Sequence, residues 1–211
     1  MNVRHAGLFF FILLLALSGC SHSLSQKQQS EMESLYTTCL TCHSNKEMQR
    51  GPVLDGLDAF YIEMQLGKFK AKVRGDNAEN RQEYLMGSAM DLMNKDEIRQ
   101  MSLYIASLEI KPYIKTVEGN IAAGKTLYEK QCMSCHGQKA EGRKLLKTGS
   151  LAVLEDWYLM LQLKQFKLGQ RGYHVDDVAG KRMQDIVKEI TIDDLNDVVA
   201  YIGETFGKQI E

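Results

Sequence analysis

Two pentapeptides, Cys39-Leu40-Thr41-Cys42-His43 and Cys132-Met133-Ser134-Cys135-His136, constrain this 211-residue chain more than any other feature. Each places two cysteines three positions apart and a histidine directly after them. On a short helix that spacing sets both thiols on adjacent turns, within reach of the two vinyl groups of one porphyrin. The histidine then lies beneath the ring with an imidazole nitrogen free for iron. CxxCH is the attachment sequence of c-type haem, so the chain is expected to fold around two covalently bound haems. Zinc held by the CxxC pairs is the competing reading, and the adjacent histidines and an export signal weigh against it.

The chain has five cysteines, and the fifth belongs to the N-terminus. Arg4 precedes an apolar run from Ala6 to Leu17, about a dozen residues, too short to span a bilayer and ending in small residues as a secretory signal does. Leu17-Ser18-Gly19-Cys20 resembles a bacterial lipobox. That resemblance implies a signal peptide over 1–19, cleavage before Cys20 and acylation there; ordinary secretion and an uncleaved anchor are the alternatives. Ser21 at the next position favours, by the same resemblance, the outer membrane. Residues 20–30, polar and rich in Ser and Gln, read as a lipidated flexible tether, although the last few could begin the first helix.

The chain is written twice. The two motif histidines are 93 residues apart, and downstream the spacing becomes 97: Phe60-Tyr61 matches Trp157-Tyr158, Gln65-Leu66 matches Gln162-Leu163, Arg74 matches Arg171, Met86 matches Met183, and Tyr104-Ile105 matches Tyr201-Ile202. An insertion of four residues therefore lies between His136 and Leu154. The repeat divides the chain into modules 31–109 and 120–211, joined by a linker over 110–119. Both modules read as all-α: hairpin signals are absent, and Asn94 with Glu97, then Thr191 with Asp194, cap amphipathic last helices. Middle helices are expected over 58–70 and 155–167. Domains this small bury little apolar area, so the haem is expected to complete each core.

Iron needs a second axial ligand or stays open for chemistry. Of the eleven methionines most suit core filling. The repeat selects two: Met64 aligns with Leu161, Met90 with Val187 and Met93 with Ile190, whereas Met86 and Met183 align with each other. Both fall just before the last helix, where a loop could close over the distal face. Bis-histidine ligation is the rival assignment, but His174 aligns with Asn77.

Tandem CxxCH modules, each with Tyr, Gln-Leu, Phe and Arg ahead of the methionine, resemble the dihaem class I cytochromes c of the cytochrome c₄ type. The resemblance implies two small helical folds related by pseudo-twofold symmetry, His/Met ligation by His43 with Met86 and His136 with Met183, and periplasmic electron transfer toward a terminal oxidase. Counted from the cysteines, the family's first-helix glycine falls at Gly124 in the second module and at Glu31 in the first, which implies a short or frayed first helix. Gly51-Pro52 follows the first motif as in the family, while the second offers Gly149 or its neighbours, which implies a remodelled loop beside His136.

Net charge is −1, which excludes nucleic-acid binding through a basic surface. Lys68, Lys70, Lys72 and Arg74, mirrored by Lys164, Lys167 and Arg171, read either as solvated helix faces or as functional: the arginines on haem propionates, the lysines steering an acidic partner. The function expected is electron transfer between redox proteins such as a dehydrogenase and an oxidase, with no small-molecule substrate. An electron-accepting subunit of a dehydrogenase, a dihaem peroxidase and a haem-based sensor are the alternatives.

Overall fold

The computed structural model describes residues 23–44 and 49–208, so the leader over 1–19 and Cys20 lie outside the described residues. Within those residues no helix is long and apolar enough to cross a membrane, and the only β-pairing is an isolated bridge between Arg143 and Thr148. The fold is helical throughout. The first module contains α1 (Gln26–His43), α2 (Ala59–Lys70), α3 (Arg81–Met90) and α4 (Lys95–Ser107). The second contains α5 (Ile121–Leu127), a π turn (Tyr128–Cys132), α6 (Met133–His136), α7 (Asp156–Lys167), α8 (Val178–Val187) and α9 (Ile192–Phe206).

Local sequence explains the helix starts. Asn94 and Glu97 form the full reciprocal capping box on α4, and Thr191 accepts the Asp194 N–H on α9. Asp58 caps α2 by accepting the Tyr61 N–H at 3.0 Å. Ser25 and Gln28 make another capping box, so α1 begins at Gln26 and the stretch expected as tether is helical from there on. A helix of 18 residues also replaces the short or frayed one expected from Glu31.

The register of that first helix differs between modules. Tyr36 packs edge-on against Tyr104 at 5.6 Å, and Tyr128 packs against Tyr201 at 5.7 Å. Tyr104 and Tyr201 are repeat partners, so Tyr36 and Tyr128 are structural equivalents. Yet three positions separate Tyr36 from Cys39, and four separate Tyr128 from Cys132. The π turn absorbs the extra residue. Upstream of it the counterpart of Gly124 is therefore Met32, buried at 5 % exposure, and not the exposed Glu31.

Each last helix organises its core. α1 and α2 pack on α4, and α5 and α7 pack on α9. Ile98, Met101 and Ile105 are buried from α4, and Leu195, Val198, Val199 and Ile202 from α9. The linker is docked at both ends. Lys111 pairs with Asp55, and the backbone N–H groups of Thr116 and Val117 donate to the buried Asp156 carboxylate at 2.7 and 2.8 Å.

Candidate functional site

Both CxxCH sequences end a helix: His43 is the last residue of α1 and His136 the last of α6. Cys39, Cys42, Cys132 and Cys135 are half-buried, and none of them is in a disulfide. Burial pushes the Cys132 thiol up to about 11 and Cys39 upward as well.

The first histidine is oriented by the loop that follows it. His43 Nδ1 lies 2.7 Å from the Pro52 carbonyl oxygen, where an Nδ1–H donates and Nε2 keeps its lone pair for a metal. Gly51 packs so closely on the imidazole that any Cβ there would overlap the ring. Burial lowers the His43 pKa, with the Pro52 carbonyl opposing it, and burial takes His136 down to about 4. Both imidazoles are therefore neutral at pH 7, as ligation requires.

The second loop is rebuilt. Its turn is closed by Gly142 N–H to the His136 carbonyl at 2.8 Å and by the Thr148 hydroxyl to the Cys135 carbonyl at 2.8 Å. No carbonyl reaches His136 Nδ1, which is buried without a hydrogen-bond partner. Gly149 packs against the Tyr61 ring of the first module instead.

A cleft opens in the second module, walled by Cys132, Cys135, His136 and Met183 with Leu159 and Phe166 behind them. Its lining suits a porphyrin: two thiols and an imidazole at one side, largely apolar walls around. Met183 projects from α8 and Met86 from the equivalent α3, both partly buried. They stand on helices, not on the loop expected from sequence, because Asn80 and Asp177 cap helices over that stretch. Met90, Met93, Met101 and Met160 are buried in the core. His174 sits in a surface turn, accepting the Asp176 N–H at 3.2 Å.

The repeated arginines and glutamines converge where the modules meet. Arg74 donates to Gln65 Oε1 of its own module at 2.7 Å and to Gln162 Oε1 of the other at 2.8 Å. Arg171 does the reverse, to Gln162 at 2.5 Å and Gln65 at 3.2 Å. The exchange of partners between equivalent residues marks an approximate twofold. Lys68 to Asp177 at 2.6 Å and its counterpart Gln165 to Asn80 at 3.2 Å obey the same symmetry. Arg171 also lines the cleft of the second module, and its Nε is buried without a partner. Arg74 meets a carboxylate within the protein: Glu83, 5 % exposed, accepts from its Nε at 2.9 Å and Nη2 at 2.5 Å. Gly180 holds the Glu83 position in the second module.

The lysine run expected to steer a partner is largely engaged internally. Lys68 crosses to Asp177, Lys70 donates to the Asp91 carbonyl, Lys72 pairs with the Asp91 carboxylate, and Lys167 donates to the Lys188 carbonyl. Glu155 is a site residue that sequence reading missed. It reaches into the first module, accepting from Gln49 Nε2 at 2.7 Å and the Val53 N–H at 2.8 Å, and so braces the loop beside His43. It was expected as the first residue of the middle helix over 155–167, but it lies one residue before α7.

The cytochrome c family model matches residues 31–109 and again 121–205. Cytochrome c-554(547) of Halothiobacillus neapolitanus is 33 % identical over 89 residues, 40 % of this chain and 96 % of that protein. The Cbb3-type cytochrome c oxidase subunit CcoP of Azospirillum sp. (strain B510) is 37 % identical over 51 residues, 24 % of this chain and only 16 % of that subunit. Cytochrome c4 of Acidithiobacillus ferrooxidans superposes with a TM-score of 0.63 at 23 % identity, over 79 % of this chain and 97 % of that one. Cytochrome c4 of Pseudomonas stutzeri gives 0.63 at 20 % identity, over 85 % and 97 %. Thiosulfate dehydrogenase (TsdBA) of Marichromatium purpuratum gives 0.62 at 20 % identity, over 83 % of this chain and 39 % of that one. Matched twice and carrying the attachment sequence in both copies, the chain belongs to the cytochrome c family as a dihaem, cytochrome c4-like tandem with two covalently bound c-type haems.

Proposed function

We propose that this dihaem carrier works in the periplasm, held to a membrane by lipid at Cys20, with His43 and Met86 ligating one iron and His136 and Met183 the other. The observation that carries the ligation is the position of Met183 on the wall of the same cleft as His136, Cys132 and Cys135. Around it on that wall stand Ile186, Val187 and Ile190. Asp177, the carboxylate lining the cleft, is committed to Lys68, and the other polar members include Tyr61, Tyr158, Arg171 and Arg182. The haem, when bound, supplies reversible one-electron chemistry. The chain's part is to keep both histidines neutral, to close the open side with a thioether that favours the ferrous state, and to hold water off the metal with apolar walls. The leader, the lipobox-like Leu17 to Cys20 and Ser21 support periplasmic anchoring, with the outer membrane favoured.

Near-infrared absorption of the ferric protein tests the ligation. A methionine–iron charge-transfer band is expected in an amount matching two haems, falling by half in Met86→Ala and again in Met183→Ala. A band unchanged in both variants overturns the assignment. A second reading, an electron-accepting subunit of a dehydrogenase, draws on the likeness to the Marichromatium purpuratum enzyme. Reduction of the purified protein by thiosulfate alone would favour catalysis over carriage.

A further inference from the structure

We propose that the loop Arg143 to Thr148 is a docking surface for an acidic redox protein, which it holds over the second haem cleft. The inference rests on the carrier reading and names the partner's chemistry and the face it uses. The loop belongs to the stretch that is longer in the second module by four residues. It projects Leu145 at 98 % exposure, the most exposed of the large apolar side chains described. Single exposed leucines are ordinary; this one is presented by a built structure. The Arg143 N–H donates to the Thr148 carbonyl at 3.1 Å, the Thr148 N–H returns to the Arg143 carbonyl at 3.2 Å, and the Thr148 hydroxyl is tied to the Cys135 carbonyl. Between those ends a 3₁₀ turn (Lys144–Leu146) closes on Lys147 in the left-handed region, φ +58°.

Charge around that tip has one dominant sign. Lys139, Arg143, Lys144 and Lys147 are all exposed. The one carboxylate among them, Glu141, is turned to the Lys139 backbone N–H at 2.7 Å. Leu92 and Val175, at 88 % and 86 % exposure, stand beside Asp91 and Asp176 instead. An apolar centre with a cationic rim suits a small, short-lived interface steered by opposite charge, the kind redox partners form. The loop's inner side completes the geometry. Leu146, Lys147 and Thr148 line the cleft that holds Cys132, Cys135 and His136. A partner seated on Leu145 is thus separated from the haem site by the thickness of the loop.

Stopped-flow electron exchange between the full-length holoprotein and the acidic blue-copper protein plastocyanin tests this. Reversing charge with Lys139→Glu and Arg143→Glu is expected to lower the second-order rate constant about tenfold or more at low salt and to flatten its fall with ionic strength. Leu145→Ser is expected to lower the rate by a similar factor at every salt concentration. Lys95→Glu with Arg99→Glu, exposed on α4, is expected to change nothing. Midpoint potentials at a bare electrode check that the haems are intact in each variant. A wild-type protein that does not cycle reversibly there sinks the carrier reading. Reversible cycling with plastocyanin rates untouched by the loop substitutions sinks the docking surface alone. Protection of Arg143 from trypsin by phosphatidylglycerol vesicles, but not by phosphatidylcholine vesicles, would make the loop a lipid contact and also overturn the proposal.

Discussion

Gly124→Ala should destabilise the second module even though alanine is the better helix former. Gly124 is buried in α5 where that helix crosses α9. A Cβ there would collide with the Asp197 carbonyl oxygen and stand 3.0 Å from Tyr201 Cβ. Neither neighbour is the free end of a side chain, so α5 and α9 themselves must separate. Overpacking against backbone costs ~3 kcal/mol, the upper part of the usual range, and loosens the contacts among Leu195, Val198 and Ile202. The intrinsic gain of alanine over glycine in a helix is ~1 kcal/mol, so the net loss should be ~2 kcal/mol.

Two companion substitutions fix the sign of each contribution. Gly67 lies in α2 with nothing within 4 Å of a built Cβ, so Gly67→Ala should collect the helix-propensity gain alone, ~0.5–1 kcal/mol. Glu31→Ala removes an exposed pair with Lys27 at 3.7 Å and should move stability by less than ~0.5 kcal/mol. Urea unfolding of the holoprotein, followed by helical circular dichroism, measures all three. A Gly124→Ala protein as stable as the wild type would refute the close-crossing argument. So would equal gains at Gly67 and Gly124, because propensity would then be the only effect at work.

Further outcomes concern the seam between the modules. Asp177 is buried, which by itself raises its pKa, but the Lys68 ammonium at 2.6 Å outweighs burial and holds the carboxyl below its ordinary 3.8. A depressed carboxyl contributes stability that is complete above about pH 4 and lost as pH falls through the folded value. Asp177→Asn keeps the cap on α8, as Asn80 does on α3, and should cost more at pH 7, where ~3 kcal/mol is the scale for breaking a buried pair, than at a pH below the folded value of the carboxyl. A difference independent of pH would refute it. Gln162→Leu removes the acceptor shared by Arg74 and Arg171 and should cost ~3 kcal/mol, two hydrogen bonds to charged donors at ~1.5 kcal/mol each. An unshifted urea midpoint would show that water replaces the glutamine without loss.

The two CxxCH sequences and the duplication were legible because a motif and a fixed spacing are properties of the chain itself. The last helices were legible for a similar reason: a capping residue and an amphipathic stripe are local, and tertiary packing merely seats them. The register of the first helices was not. Counting back from the cysteines pairs Gly124 with Glu31, and only the ring contacts of Tyr36 and Tyr128 reveal the π turn that makes Met32 the true counterpart. One inserted residue costs a helix little at a π turn, and no residue type announces it.

Charged side chains were the least legible, because their roles depend on what the other module brings within reach. Lys68 reads as a solvated or steering lysine until Asp177 arrives from across the seam, and Glu155 reads as the first residue of a helix until Gln49 and Val53 take both its bonds through Oε2. Arg74 and Arg171 look identical in sequence, yet Glu83 neutralises the first while Gly180 leaves the second to the glutamines. The same divergence runs through the histidines, one held by the Pro52 carbonyl and one with a bare Nδ1. A duplicated fold preserves what packing and covalent attachment demand of each copy. The polar groups near the two haem sites are free of that demand, and at those positions the two modules have come apart.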